Sequence, residues 1–208
     1  MEINPKFNDI TQNSEDWDSI RLGKFTASMF SDVMMDKKTK GYQNTITKVA
    51  FERLIGKSQI QFSSQWMDYG HQTEPEADEN YCIETFNETE NGGIWTINDW
   101  VAASPDAKIV GLNAGCEYKC PSFSTYREYL EGNEKKGEVV LPASYFWQVH
   151  GQMLCTGWDF IHYMPYLSPN IKQLLTTVKR DQSILDQLTA RLEEAIIDAQ
   201  NLINKYKK

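Results

Sequence analysis

Asp106, Glu117 and Lys119 are the residues whose types and spacing suggest chemistry. They lie in Ser104-Pro105-Asp106 and Cys116-Glu117-Tyr118-Lys119-Cys120. The second run reads as a strand stopped by Pro121. Side chains alternate along a strand, so Glu117 and Lys119 share one face, and Cys116, Tyr118 and Cys120 the other, mostly apolar one. A turn through Gly111 and Gly115 returns the chain so that Asp106 comes to lie beside Glu117. Two adjacent carboxylates repel unless a cation sits between them. Mg²⁺ suits such a place, since one or two carboxylates carry it while water and substrate phosphate complete its shell. The chemistry served is phosphodiester hydrolysis: the metal lowers the pKa of a bound water, and Lys119 holds that water or meets developing charge. The plain alternative is a surface Glu117–Lys119 pair with Asp106 capping a turn.

The positioning elements follow from the periodicity. Residues 1–13 are polar and irregular and read as a loosely held arm. Ser14 can cap a helix in which Trp17 and Ile20 share a face. A second helix is expected over 26–34, a charged turn over 36–41, and a third helix over 43–56 that stops at Gly56. A fourth covers 64–84, with Met67, Gly70, Glu74, Ala77 and Tyr81 at three- and four-residue steps. The period then changes, giving short strands near 94–97, 100–103, 107–110 and 116–120. Pro142 opens a helix to about Cys155, closed by Gly157, and 160–164 reads as a strand. Ile184, Leu185, Leu188, Leu192, Ala195 and Ala199 mark a long amphipathic helix over 181–206. The expectation is α/β: one domain over 1–208, helices flanking a small central mixed sheet. Residues 122–141 are given no element.

Bulk properties narrow the class. A net charge of −8 argues against coating nucleic acid by bulk attraction. It leaves a local groove open, because site carboxylates count as negative until a cation meets them. No run of about 18 apolar residues appears, so no membrane helix is expected. The N-terminus lacks a secretory layout and the four cysteines are scattered, so a cytoplasmic location with reduced thiols is the expectation. A zinc site from Cys116 and Cys120 with His150 or His162 is disfavoured, since the pair is not spaced as a knuckle.

Four blocks in order extend the argument: Trp17-x-x-x-Arg21-x-Gly23-x-x-Thr26-Ala27-Ser28; Gly70-x-x-x-Glu74-x-x-Ala77; Ser104-Pro105-Asp106 with Glu117-x-Lys119-Cys120-Pro121; and Tyr145-x-x-Gln148-x-x-x-Gln152. Together they resemble the lambda-exonuclease and YqaJ-type viral recombinase nucleases of the PD-(D/E)xK superfamily. That resemblance implies a restriction-endonuclease-like core with Asp106, Glu117 and the Tyr118 main-chain carbonyl holding two Mg²⁺ ions, for which Mn²⁺ substitutes. It implies that Lys119 positions the attacking water and that Glu74 and Gln148 face the same site. Arg21 and Ser28 match a pocket for a 5′-terminal phosphate, and Tyr145, Gln148 and Gln152 form a polar strip toward DNA. A plain reading leaves Glu74, Arg21 and that strip facing solvent.

The implied reaction is 5′-to-3′ digestion of one strand of linear duplex DNA, leaving a 3′ single strand for recombination. The implied partners are DNA ends, two further copies in a trimeric ring, and a single-strand annealing recombinase, in the host cytoplasm if the chain is phage-encoded. A ring holds DNA where bulk attraction is weak, with Lys24, Lys37, Lys38, Lys40, Lys48 and Arg53 as local positive surface. Ala107 departs from the glycine common after the aspartate. Rival readings are a nuclease of other polarity, as in RecB or Cas4 types, a non-catalytic DNA-end-binding module, and a hydrolase of small phosphoesters. The Cas4 type is disfavoured by the lack of a cysteine cluster near the C-terminus.

Overall fold

Helix ends are where sequence chemistry is most legible. The Ser14 hydroxyl accepts the Trp17 N–H at 3.2 Å and starts α1 (Glu15–Arg21). The chain then departs from expectation. In place of a helix over 26–34 it forms strand β2 (Phe25–Thr26), a 3₁₀ turn (Ala27–Met29) and a short α2 (Phe30–Val33). The backbone has a better partner there, since Phe25 N–H donates to the Trp100 carbonyl at 2.8 Å. The Thr39 hydroxyl caps α3 (Lys40–Ile55), so this helix starts inside the expected charged turn.

The computed structural model describes residues 1–59, 65–136 and 140–208. Helix α4 (Gln65–Thr85) runs as expected, although the predicted start at residue 64 and the place of Met67 on its face lie outside the described residues. Two further helices flank the sheet, α5 (Phe123–Lys136) and α6 (Ala143–Thr156), and α7 (Gln182–Tyr206) closes the chain. The carboxylate of Asp181 caps α7 by accepting the Ser183 and Ile184 N–H groups. Helix α5 is polar overall and buries one narrow face, Tyr126 and Tyr129 with Leu130 packed beside them.

The strands form two mixed sheets rather than one. The first contains β1 (Lys6–Asn8), β4 (Ile94–Thr96), β5 (Val101–Ala103) and β2, in that order. The second has the order β3 (Thr89–Asn91), β6 (Ala107–Ile109), β7 (Ala114–Lys119), β8 (Phe160–Pro165) and β9 (Thr176–Lys179). Pro105 lies between β5 and β6 and has no N–H to continue a ladder there. The short, polar edge strands β3 and β9 lack alternation strong enough to be read from sequence.

The N-terminal segment is not a loose arm. Residues 6–8 pair antiparallel with β4, and the Phe7 ring sits 4.9 Å from that of Trp95. An unpaired strand edge is a ready template, and the ring contact of the still exposed Phe7 with Trp95 favours its use.

Strand β7 lies in the middle of the larger sheet, antiparallel to β6 and parallel to β8. Cys116 and Tyr118 pack with Ala77 and Tyr81 of α4. On the α6 side, Val149 and Met153 pack with Ile161 and Tyr163 of β8. The depth of α6 is set by Gly151, where a Cβ would come within 2.1 Å of the buried Phe30 ring. Gly151→Ala should therefore destabilise by about 1–3 kcal/mol through overpacking. At roughly 2–4 °C per kcal/mol for a chain of this size, thermal denaturation will register a clear fall in Tm; an unchanged Tm would show that Phe30 yields without cost.

Candidate active site

The aspartate is delivered by a braced loop. Gly92 approaches so closely that a Cβ would meet the Pro105 carbonyl oxygen at 2.1 Å. The Trp17 indole N–H donates to the Ser104 hydroxyl at 2.7 Å, and that hydroxyl donates to the Gly93 carbonyl at 3.0 Å. Asp106 N–H then bonds the Cys116 carbonyl at 3.2 Å, which sets Asp106 across from Glu117. The Tyr118 N–H donates to Asp106 Oδ2 at 2.6 Å.

Glu117 is 1% exposed. Its Oε1 accepts from the Lys119 ammonium and from the Gln148 amide, and its Oε2 accepts from the Gln152 amide. The Lys119 ammonium also lies 5.2 Å from the centroid of the Tyr145 ring. Burial pulls the Lys119 pKa down, but the charges of Glu117 and Asp106 outweigh burial and hold it above the ordinary lysine value. Lys119 is therefore a cation. The Asp106 carboxyl is held well above the usual range, first by loss of hydration and then by the charge of Glu117.

The site opens into a cleft of about 530 Å³. Arg21, Ser28, Glu74, Asp106, Glu117, Lys119, Gln148 and Gln152 all line it. The α1 residue Arg21 stacks on the Trp17 ring, 3.8 Å from its centroid. Burial lowers the guanidinium pKa to about 10, against the opposing pull of Asp18 and Glu52, so it stays charged at neutral pH. Ser28 is exposed, with its hydroxyl 3.2 Å from that of Thr26. A second cleft, also about 530 Å³, meets the first at His71, Glu74 and Lys119, and is walled by Tyr145, Tyr129 and Thr125.

Two expectations need correcting. Gln152 does not belong to a DNA-facing strip: it is 0% exposed, and its carbonyl Oε1 has no hydrogen-bond partner. The helix face turns into the core at that residue, while Tyr145 and Gln148 remain half-buried at the cleft. The N-terminal basic residues also do not converge. Lys37 pairs with Asp198 at 2.9 Å, and Lys24 and Arg53 both donate to the Asp99 carbonyl. Of the six, Lys48 reaches the cleft.

Glu74 faces the same cleft but pairs with His71 at 3.6 Å. Among the described residues no three His, Cys, Asp or Glu side chains converge as a metal cluster. His162 instead bonds the Tyr81 hydroxyl at 2.7 Å, and His150 the Phe146 carbonyl at 2.8 Å. Sequence reasoning missed Gln12, whose amide reaches the Pro105 carbonyl at 3.0 Å and lies 3.5 Å from Asp106 Oδ1. It also missed buried Glu52, which accepts the Gly23 N–H at 2.9 Å beneath the cleft. A polar arm and one glutamate on a helix carry no signal of such roles.

The model of the YqaJ-like viral recombinase domain matches residues 16–159 of the chain. An alkaline exonuclease (LHK-Exo) from Laribacter hongkongensis is similar in structure, with TM-score 0.81 and 28% identity over 93% of this chain and 96% of that one. The same enzyme in complex with dAMP matches equally well. A phage-related exonuclease from Haemophilus somnus 129PT, at 17% identity, shares the fold with TM-score 0.68, over 88% of this chain and 96% of that one. No curated protein matches the chain.

The charge crowding has a measurable consequence. The ordinary carboxyl pKa is 3.8 and the folded value lies above it, so the native state holds the Asp106 proton more tightly than the unfolded chain does. Stability from this group is complete below about pH 4 and is lost as pH rises through the folded value. In chelator at neutral pH, Asp106→Asn should thus raise Tm, by roughly 2–4 °C for each kcal/mol of repulsion relieved. The gap should close as pH falls toward 4, as read by thermal scans across pH. A variant less stable than wild type at neutral pH would contradict the repulsion.

Proposed function

The chain belongs to the YqaJ-like viral recombinase domain family, and on that premise we propose that it is a Mg²⁺-dependent exonuclease acting on linear double-stranded DNA. It works 5′ to 3′ from a 5′-phosphorylated end and leaves a 3′ single strand for recombination. The observation that carries this reading is the meeting of Asp106, Glu117 and Lys119 with Arg21 and Ser28 in one cleft.

The donor set suits Mg²⁺. Asp106 and Glu117 are hard oxygen ligands that crowd one another, so that a dication between them relieves the repulsion raising the Asp106 pKa. Asp106, Glu117 and the Tyr118 main-chain carbonyl would hold it, as two ions with Mn²⁺ as a substitute. When bound, the metal makes water a better nucleophile and offsets charge on the attacking and leaving oxygens.

The chain's own residues do the rest. The Lys119 cation cannot take a proton; it meets negative charge on the phosphate and orients water. Gln148 and Glu74 line the cleft from two helices, where that water would sit. Tyr145 offers a ring face to a base beside the reacting phosphodiester. Arg21, held in place by the Trp17 ring, gives a terminal phosphate a fork of N–H donors, and Ser28 adds a hydroxyl. A polymer end fills two adjoining clefts as a small phosphoester would not.

By the same resemblance the working form is a homotrimeric ring, and a single-strand annealing recombinase takes up the strand left behind. The cytoplasm is the proposed place of action, which accords with the cysteines being free thiols. Among the described residues, no helix is long and apolar enough to cross a membrane.

The test uses linear duplexes bearing a 5′-phosphate or a 5′-hydroxyl. Wild-type protein should degrade the phosphorylated strand in Mg²⁺ and not in chelator, and Asp106→Ala should be inactive even in Mg²⁺. Arg21→Ala should lose about 10–100-fold on the phosphorylated end and little on the hydroxyl end, as expected when a charge-assisted contact worth about 1.5–3 kcal/mol goes. Degradation in chelator sinks the metal assignment, and equal losses on both ends sink the phosphate pocket.

A further inference from the structure

Gln152 is a buried polar residue whose environment does not suit it. It sits on α6 among Val149, Met153 and Leu154, all shielded from solvent. Its Nε2 donates to Glu117 Oε2 at 2.5 Å, while its Oε1 has no partner. Buried polar atoms are nearly always paired, so an orphan of this kind calls for a reason. Turning the amide over would set Oε1 against the Glu117 carboxylate, acceptor against acceptor. Glu117 alone thus dictates which way the amide points.

A carboxylate offers about four lone-pair directions. Lys119 and Gln148 take the two on Oε1, and Gln152 takes one on Oε2. One direction on Oε2 is left. Gln148 and Gln152 stand one helical turn apart and address different oxygens, so together they resist rotation of the group. Gly151 lies between them and fixes the helix against Phe30 at the depth that lets both amides reach.

From this we infer that Gln152 is a positioning residue: it locks the rotation of the Glu117 carboxylate and so the direction of its remaining lone pair. The inference rests on the proposed function, in which Glu117 binds the metal. It moves Gln152 from a contact with DNA to a contact with the group that acts on DNA.

The test replaces Gln152 by Met, which keeps the volume and removes the amide. A second variant, Gln152→Asn, keeps an amide that is one methylene too short to reach Glu117. Circular dichroism establishes that each is folded, and assays run well below its melting temperature. The expected result for both is a fall in kcat of about 10–100-fold with KM for DNA ends within about twofold. Calorimetric titration of Mg²⁺ or Mn²⁺ into DNA-free protein should show affinity weakened over the same range.

A role confined to core packing gives a different pattern: lower Tm, with kcat and metal affinity unchanged in whichever variant folds. That pattern overturns the inference, as does failure of both variants to fold. Wild-type protein that neither binds metal nor degrades DNA would instead sink the proposed function itself.

Discussion

The charge of Glu117 sits almost wholly out of water, and the structure around it is organised to meet that charge. Burying a carboxylate costs several kcal/mol unless it is paired and hydrogen-bonded. Here an ammonium from the same strand and two amides from α6 supply the donors. Each donor needs its own support. The Lys119 cation is covered by Tyr145, α6 is seated by Gly151 against Phe30, and β7 is held on both sides by β6 and β8. Asp106 is then brought in against this charge rather than away from it, by a loop braced through Trp17, Ser104 and Gly93.

That arrangement makes sense of the two faces of β7. The Cys116 and Tyr118 face is apolar toward α4, and its one polar tip, the Tyr118 hydroxyl, is answered by Asp78 at 2.7 Å. The Glu117 and Lys119 face carries the crowded charges and opens to the clefts. One strand serves as core and as site because its side chains alternate. Stability comes from the first face, and the second gives up part of it by crowding buried charge.

The overall charge of −8 now reads differently. The cleft cations are few, Arg21, Lys48 and Lys119, while Lys24 and Arg53 are committed to the Asp99 carbonyl and Lys37 to carboxylates of α7. Among the described residues, the positive charge at the site is therefore local to this cleft, so that the proposed contact with DNA would depend on these few cations.

The sequence by itself determined the chemical core. Strand alternation placed Glu117 and Lys119 together, and Ser14, Pro142 and Gly157 marked true helix ends, because these signals depend on neighbours within a few residues. The ordered blocks pointed to Arg21, Glu74 and Gln148, all of which line one cleft. Tertiary structure decided what local pattern cannot encode. It drew residues 6–8 into a sheet through Phe7 and Trp95, and turned the 25–26 stretch from helix to strand because Trp100 offered a partner. It split the strands into two sheets at Pro105 and brought Gln12 to Asp106 from 94 residues away. It also sent Gln152 inward, although its spacing from Gln148 reads the same on a wet helix face as on a dry one. Which face is dry depends on what packs against it, and for α6 that is Phe30 and Glu117, residues distant in the chain and close only in the fold.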